Sequence, residues 1–144
     1  MELYKNGLNV PEILTHWYES EKLLNYGAFI PFIGIVRDEN NISGLSFDVY
    51  EPLLKNWFEN WVSRSEKDGA KLKFAHSIGD VFIHESSYVS AVLSPKREVA
   101  LRLIVEFVED FKANAPIWKY DLIDGKRIYA ESRSKKIIGS GLLA

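Results

Sequence analysis

The sequence contains no cysteine among its 144 residues. This absence excludes disulfides, thiolate metal ligands, iron–sulfur clusters and cysteine nucleophiles. Histidine is nearly as scarce, because only His16, His76 and His84 occur. We therefore expect no metal, no cofactor and no catalytic pairing of histidine with serine or cysteine. His76 falls in a predicted strand and is interpreted as a buried core histidine rather than a ligand.

Three further absences narrow the class of protein. No run of about 18 apolar residues occurs, so no membrane-spanning helix is predicted. The N-terminus lacks the basic and then apolar order of a secretory signal, and we expect a cytoplasmic protein. Lys and Arg total 18 against 20 Asp and Glu, which argues against a dedicated nucleic-acid binder.

The composition is that of an ordinary globular domain, with 47% hydrophobic and 26% charged residues, and we expect one domain over residues 1–144. Apolar periodicity predicts helices at Pro11–Leu24, Pro52–Lys67 and Pro95–Phe111, the last with Ser94 as its N-cap. Strands are predicted at Gly27–Val36, Leu45–Tyr50, Leu72–Ile78, Ser86–Leu93, Ile117–Ile123 and Arg127–Ala130. Short turns near Gly79-Asp80 and Asp124-Gly125 favour an antiparallel or mixed sheet, and hence the α+β class.

Cationic side chains are the main candidates for chemistry. Arg37 directly follows a buried strand, Lys96 and Arg97 occupy the predicted first turn of the long helix, Lys112 its last turn, and Lys119 the next strand. Cations in a first helical turn oppose the macrodipole by about 0.3–1 kcal/mol each, and a bound anion would reverse that sign. Simple solvation of these charges is the alternative, so spacing alone leaves both open.

Six motifs carry a family resemblance, and they occur in order between residues 27 and 133. They are Gly27-Ala28 with Phe32-Ile33-Gly34-Ile35-Val36-Arg37 and Asn40; Leu45 to Tyr50; His76 with Gly79; Ser94-Pro95-Lys96-Arg97; Lys112-Ala113-Asn114-Ala115-Pro116-Ile117-Trp118-Lys119; and Glu131-Ser132-Arg133. Together they resemble the large, catalytic subunit of molybdopterin synthase. The Lys-x-x-x-Pro-x-Trp-Lys segment is the most specific of them.

The resemblance implies an α/β-hammerhead fold with an additional antiparallel sheet. It implies a sulfurtransferase that converts cyclic pyranopterin monophosphate (precursor Z) into molybdopterin, in molybdenum cofactor biosynthesis. The sulfur would arrive as the C-terminal thiocarboxylate of a small ubiquitin-like subunit. The large subunit would be a homodimer that forms a heterotetramer with two small subunits. A chain without cysteine cannot carry sulfur as a persulfide, which agrees with delivery by a partner.

The resemblance also implies roles for individual residues. Lys112 and Lys119 would be catalytic, neutralising the thiocarboxylate and stabilising an oxyanion. Arg37, Lys96, Arg97 and Arg133 would bind the substrate phosphate, partly across the dimer interface. The channel for the partner's tail would be formed by Phe32, Gly34, Pro116 and Trp118. Lys96 stands where the family usually has histidine, which keeps the charge but removes a group that titrates near neutral pH.

Two other classes of function remain as alternatives. The first is a non-catalytic binding module that holds a ubiquitin-like tail or a small phosphate-containing ligand in the same pocket. The second is a structural homodimer whose cations are surface charge. A single-stranded nucleic-acid binder is discounted, because the aromatic residues follow helical core stripes and the net charge is −2.

Overall fold

The computed structural model describes residues 1–130. In this range the chain forms β1 (Glu2–Lys5), α1 (Val10–Glu21), β2 (Ala28–Ile35), β3 (Gly44–Val49), α2 (Glu51–Glu66), β4 (Lys71–Phe82), β5 (Ser86–Ser94), α3 (Arg97–Asn114), β6 (Ile117–Ile123) and β7 (Lys126–Tyr129). The predicted α+β class is confirmed. None of the helices in residues 1–130 is long and apolar enough to span a membrane.

The seven strands of residues 1–130 form one sheet with the order β2-β5-β4-β3-β6-β7, and β1 pairs with β4. All neighbours in this order are antiparallel, and the β1–β4 pair is parallel. The β6–β7 hairpin turns at Asp124 and Gly125, both with positive φ, as expected for a tight two-residue hairpin loop. The topology places β2 at one end of the sheet and β7 at the other.

Strand β4 is longer than the sequence predicts, because Gly79 bends the chain without reversing it. Residues 71–76 of β4 pair with β5, whereas residues 79–82 pair with β3. Gly79 has φ +85°, a conformation that glycine adopts without steric penalty. The turn predicted at Gly79-Asp80 is therefore wrong, and the chain reverses at residues 83–85 instead.

Both faces of the β4–β5 pair are covered by helices. On one face, Leu72, Phe74 and Tyr88 pack with the buried faces of α2 and α3 in the main core. On the other face, Ala75 and Val89 belong to a second cluster formed with α1. This alternation follows from the two-residue period of the strands, and it gives three layers.

Helix α3 begins two residues later than predicted. Lys96, not Ser94, is the residue that precedes its first turn, and it makes no side-chain capping hydrogen bond. Ser94 is the last residue of β5, and its hydroxyl donates to the Lys96 carbonyl oxygen. Pro95 lies between the strand and the helix, so the N-cap prediction for Ser94 is wrong. The helix extends to Asn114, three residues beyond the predicted end.

Candidate active site

Lys112 lies in the last turn of α3, and its neighbour Phe111 anchors that turn in the core. The Phe111 ring centroid is 4.6 Å from that of Tyr88 and 5.4 Å from that of His76. The Lys112 side chain is exposed. The last turn is therefore fixed by its apolar side while its cation reaches solvent.

Lys119 lies on β6, five residues after the helix ends. Ala115 ends α3 with a backbone N–H bond of 3.1 Å to the Phe111 carbonyl oxygen, and the buried Pro116 leads into the strand. Lys119 pairs with Phe47 in the β3–β6 ladder and is half-buried. Residues directly opposite each other in a ladder share a face of the sheet, so the Lys119 side chain lies beside Phe47.

An aromatic cluster of Phe47, His76, Phe111, Tyr88 and Phe32 connects these positions. Phe47 meets His76 edge to face at 4.9 Å, and Phe32 meets Tyr88 edge to face at 5.8 Å. The cluster therefore extends from Phe47 on β3, which lies beside Lys119, under the end of α3 to Phe32 on β2. Phe47, Tyr88 and Phe111 were not among the predicted site residues.

Strand β2 forms one wall over this cluster. Phe32 is 44% exposed although it contacts Tyr88, so one side of its ring is open. A Cβ on Gly34 would lie 3.0 Å from the Tyr88 Cβ, so a side chain at this position would require the strands to shift. The close approach of the two strands explains the glycine.

His76 lies at the centre of the cluster, and its imidazole is neutral. Burial lowers its pKa from 6.5 to about 4, although the backbone carbonyl of Ser77 partly offsets this. Nδ1 donates to that carbonyl oxygen at 2.8 Å. The interpretation of His76 as a core histidine is thus confirmed, and positive charge near the cluster comes from lysine rather than histidine.

Arg37 lies two residues after the C-terminal end of β2, close in sequence to Gly34. Its guanidinium is 3.1 Å from the Glu39 carboxylate, and its side chain is 77% exposed. The arginine is therefore at the correct end of the sheet to approach a ligand over the cluster. Its present ion pair is solvated and exchangeable.

The fold does not bring Lys96 and Arg97 close to Lys112 within one chain. They stand at the first turn of α3, and Lys112 stands in its last turn. At a rise of 1.5 Å per residue, Arg97 and Lys112 are about 22 Å apart along the helix axis. Within one chain the predicted cationic residues are thus divided between the two ends of α3.

Another predicted site residue, Trp118, also falls outside the cluster. Trp118 is 2% exposed and, by strand alternation, faces away from Lys119. Arg133 lies outside the described residues. Of the predicted set, the structure therefore groups Lys112, Lys119, Phe32 and Gly34, with Arg37 at the same end of the sheet.

Comparisons with known proteins identify the family. The MoaE protein family model matches residues 5–114. A molybdopterin synthase catalytic subunit from Helicobacter pylori strain 26695 is 51% identical over 144 residues, which are 100% of this chain and 99% of the relative. The chain belongs to the MoaE family. A second catalytic subunit, from H. pylori strain J99, is 44% identical over the same shares of the two chains.

Membership of the MoaE family confirms the predicted enzyme class, a sulfurtransferase of molybdenum cofactor biosynthesis. A solved complex of subunits 1 and 2 of molybdopterin-converting factor from H. pylori 26695 contains a chain of the same fold. Its TM-score is 0.92 at 52% identity, and the match covers 99% of this chain and 98% of that one. Molybdopterin synthase from Staphylococcus aureus matches at a TM-score of 0.76 and 22% identity, over 89% and 94% of the chains, which shows the shared fold.

Proposed function

We propose that this MoaE-family chain acts in the cytoplasm as a single catalytic domain over residues 1–144. It converts precursor Z into molybdopterin with two sulfurs from the thiocarboxylate of a ubiquitin-like small subunit. The observation that carries the proposal is that the fold holds Lys112, next to Phe111, and Lys119, beside Phe47, at one aromatic cluster that also includes Phe32. The similar H. pylori chain was solved in complex with its other subunit, which supports such a partner.

The tail of the small subunit would occupy the space over the exposed side of Phe32, towards the end of α3. Gly34 lets strand β2 lie close to Tyr88, and a tail ending in Gly-Gly would add little side-chain bulk over this part of the strand. Phe32 supplies apolar contact, and the terminal thiocarboxylate is an anion that requires a cation nearby. Lys112 and Lys119 are the cations that the fold holds close to the cluster.

The two lysines would act on the charge that develops during transfer. Once the thiocarboxylate sulfur has bonded to the substrate, water adds to the carbonyl carbon and places negative charge on the carbonyl oxygen, which a positioned ammonium group stabilises. Collapse of this intermediate breaks the carbon–sulfur bond, leaving the sulfur on the substrate and a carboxylate on the small subunit. The half-buried Lys119 lies beside the ring of Phe47, where solvent screening is weaker than on the open surface. We therefore assign Lys119 the larger share of this stabilisation, with Lys112 at the entrance of the tail.

The substrate phosphate would be bound by Arg37, Lys96, Arg97 and Arg133. Because Lys96 and Arg97 are about 22 Å from Lys112 along α3, a second copy of the chain would supply them. The active unit is then a homodimer with two composite sites, and a heterotetramer when both small subunits are bound. Lys96 serves here as a fixed positive charge rather than a proton donor.

The test is turnover in a reconstituted mixture of this protein, thiocarboxylated small subunit and precursor Z, with molybdopterin measured as its fluorescent oxidation product. Lys119→Ala is expected to lower kcat/KM at least about tenfold, a loss of roughly 1.4 kcal/mol of transition-state stabilisation. Lys126→Ala is the matched control, because it removes an equal charge from an exposed site on β7. Equal turnover by Lys119→Ala and wild type would remove Lys119 from the mechanism.

The binding-module alternative predicts a different result. A non-catalytic module would form a stable complex with the small subunit and give no molybdopterin. The grouping of two lysines rather than one beside the tail space favours the enzyme, since binding a single terminal anion needs one cation. Product from the wild-type mixture excludes the module.

A further inference from the structure

The carboxylate of Asp110 joins the last turn of α3 to helix α2. Its Oδ2 accepts hydrogen bonds from the indole Nε1 of Trp57 at 2.9 Å and of Trp61 at 2.7 Å. Its Oδ1 accepts from Nδ2 of Asn114, the last residue of α3, at 2.6 Å. Three donors from two helices therefore converge on one half-buried side chain.

Helix electrostatics does not explain an acidic residue here. A carboxylate near the C-terminal end of a helix opposes the helix macrodipole, so Asp110, which directly precedes the last turn, is unfavourable unless its charge is compensated locally. The two indole groups, the Asn114 amide and the nearby charge of Arg64 supply that compensation and lower the pKa of Asp110, although burial acts in the opposite direction. The residue is thus ionised. Asp110, Trp57, Trp61 and Asn114 form one hydrogen-bonded group, the Asp110 cluster.

The Asp110 cluster lies at the junction between α3 and β6, the two elements that carry the proposed catalytic lysines. Lys112 follows Asp110 by two residues, and Asn114 is followed directly by Ala115, Pro116 and strand β6. Trp57 also contacts the Phe111 ring, with centroids 5.9 Å apart, so the indole fixes two consecutive residues of α3. The last turn is thereby held on its polar side by Asp110 and on its apolar side by Phe111.

We propose that Asp110 is a positioning residue for the sulfur transfer, which holds Lys112 and Lys119 in a fixed relation to each other. The inference rests on the roles proposed above for the two lysines. Asp110 would touch neither the substrate nor the tail, and it acts through the end of α3 and the start of β6. Because small displacements of catalytic groups reduce rates strongly, loosening this junction affects turnover more than binding.

The first variant is Asp110→Asn, which keeps the shape and replaces one acceptor oxygen by an amide donor. Its matched control is Glu21→Gln, which breaks a buried ion pair with Lys71 and Lys73 at the end of α1. With each variant assayed well below its melting temperature, Asp110→Asn is expected to lower kcat about tenfold and leave KM within about twofold. Glu21→Gln should keep the wild-type kcat even where its melting temperature falls as far.

A second variant, Trp61→Phe, keeps an aromatic ring at this position and removes one donor, so it serves where Asp110→Asn does not fold. We expect it to lower kcat at least about threefold. In both variants the NMR signals of the Lys112 and Lys119 ε-methylene groups should shift, and they should not shift in Glu21→Gln. A wild-type kcat in a folded Asp110→Asn or Trp61→Phe overturns the proposal. So does an equal loss in Glu21→Gln, because stability alone would then explain the effect.

The lysine variants separate this inference from the proposed function. If Lys112→Ala and Lys119→Ala both turn over like wild type, the proposed roles fail and positioning fails with them. If the lysine variants lose activity and Asp110→Asn matches Glu21→Gln, the proposed function stands and only the positioning role of Asp110 is wrong.

Discussion

His76 shows how one residue can be essential to a site without acting as an acid or a base. It is 2% exposed and contacts Phe47, Phe111 and Tyr88, so the imidazole fills the centre of the aromatic cluster. With a pKa of about 4 it stays neutral at physiological pH. Its effect on function is therefore to hold rings in place.

This burial gives His76 a defined effect on stability. The folded pKa of about 4 lies below the unfolded value of 6.5, so the unfolded chain binds more protons between these limits. The contribution of the buried neutral His76 to the free energy of unfolding is complete above pH 6.5. It is lost as the pH falls towards 4, and the loss is about 2 kcal/mol at pH 5. Urea unfolding of His76→Gln at pH 7.5 and pH 5 should show a smaller pH dependence than wild type.

The control for that measurement is His16→Gln, which changes an exposed histidine on α1. It should unfold with the pH dependence of the wild-type protein. If His76→Gln also keeps the full pH dependence of the wild-type protein, His76 is not buried in its neutral form.

Single residues also show what the sequence could and could not predict about the site. The resemblance selected Lys112 and Lys119, whereas a lysine in a last helical turn is favourable in any case and gives no functional signal by itself. Tyr88 and Phe47 were missed because a strand pattern indicates which face is buried but not which rings meet. Only the register of β2, β5, β4 and β3 brings them together.

At the scale of elements, α2 and most strands match their predicted bounds to within one residue, whereas α1 and α3 each end three residues from the predicted position. Amphipathic spacing defines α2 and α3 through their own stripes, which need no knowledge of partners. β1 was not predicted because its four residues are stabilised by pairing with β4, a distant segment. The turn assigned to Gly79-Asp80 was wrong for the same reason, since glycine permits both a reversal and a bend.

The bend in β4 can be tested directly. Gly79→Ala forces an L-residue to φ +85° and brings its Cβ to 3.3 Å from the Asn6 Oδ1. We expect a loss of about 1–2 kcal/mol in the free energy of unfolding, measured in urea. An unchanged midpoint would mean that the strand bends without needing a left-handed residue there.

At the scale of the whole molecule, the division of cations between the two ends of α3 makes a second copy necessary for the proposed site. In a symmetric dimer each site would take Lys112 and Lys119 from one chain and Lys96 and Arg97 from its partner. Two chains that are each inactive could then restore each other.

Mixing Lys119→Ala with Arg97→Ala tests this arrangement. After subunit exchange at equal amounts, half of the dimers contain both variants, and one of their two sites is intact. The mixture should recover about a quarter of wild-type activity, whereas neither variant does so alone. Activity equal to the mean of the separate variants would show that each site lies within one chain.

Strand β4 also determines the order in which this chain can acquire structure. Glu2 pairs with Ala75, roughly 70 residues later, and β3 pairs with the far half of β4. During synthesis β1, α1, β2 and β3 leave the ribosome before any strand exists for β1 to join. The β4–β5 hairpin, closed by residues 83–85, is the first long local pairing available. Until about residue 95 has emerged, at least one of the first three strands thus lacks its partner, and this is the stage at which unpaired strand edges favour aggregation.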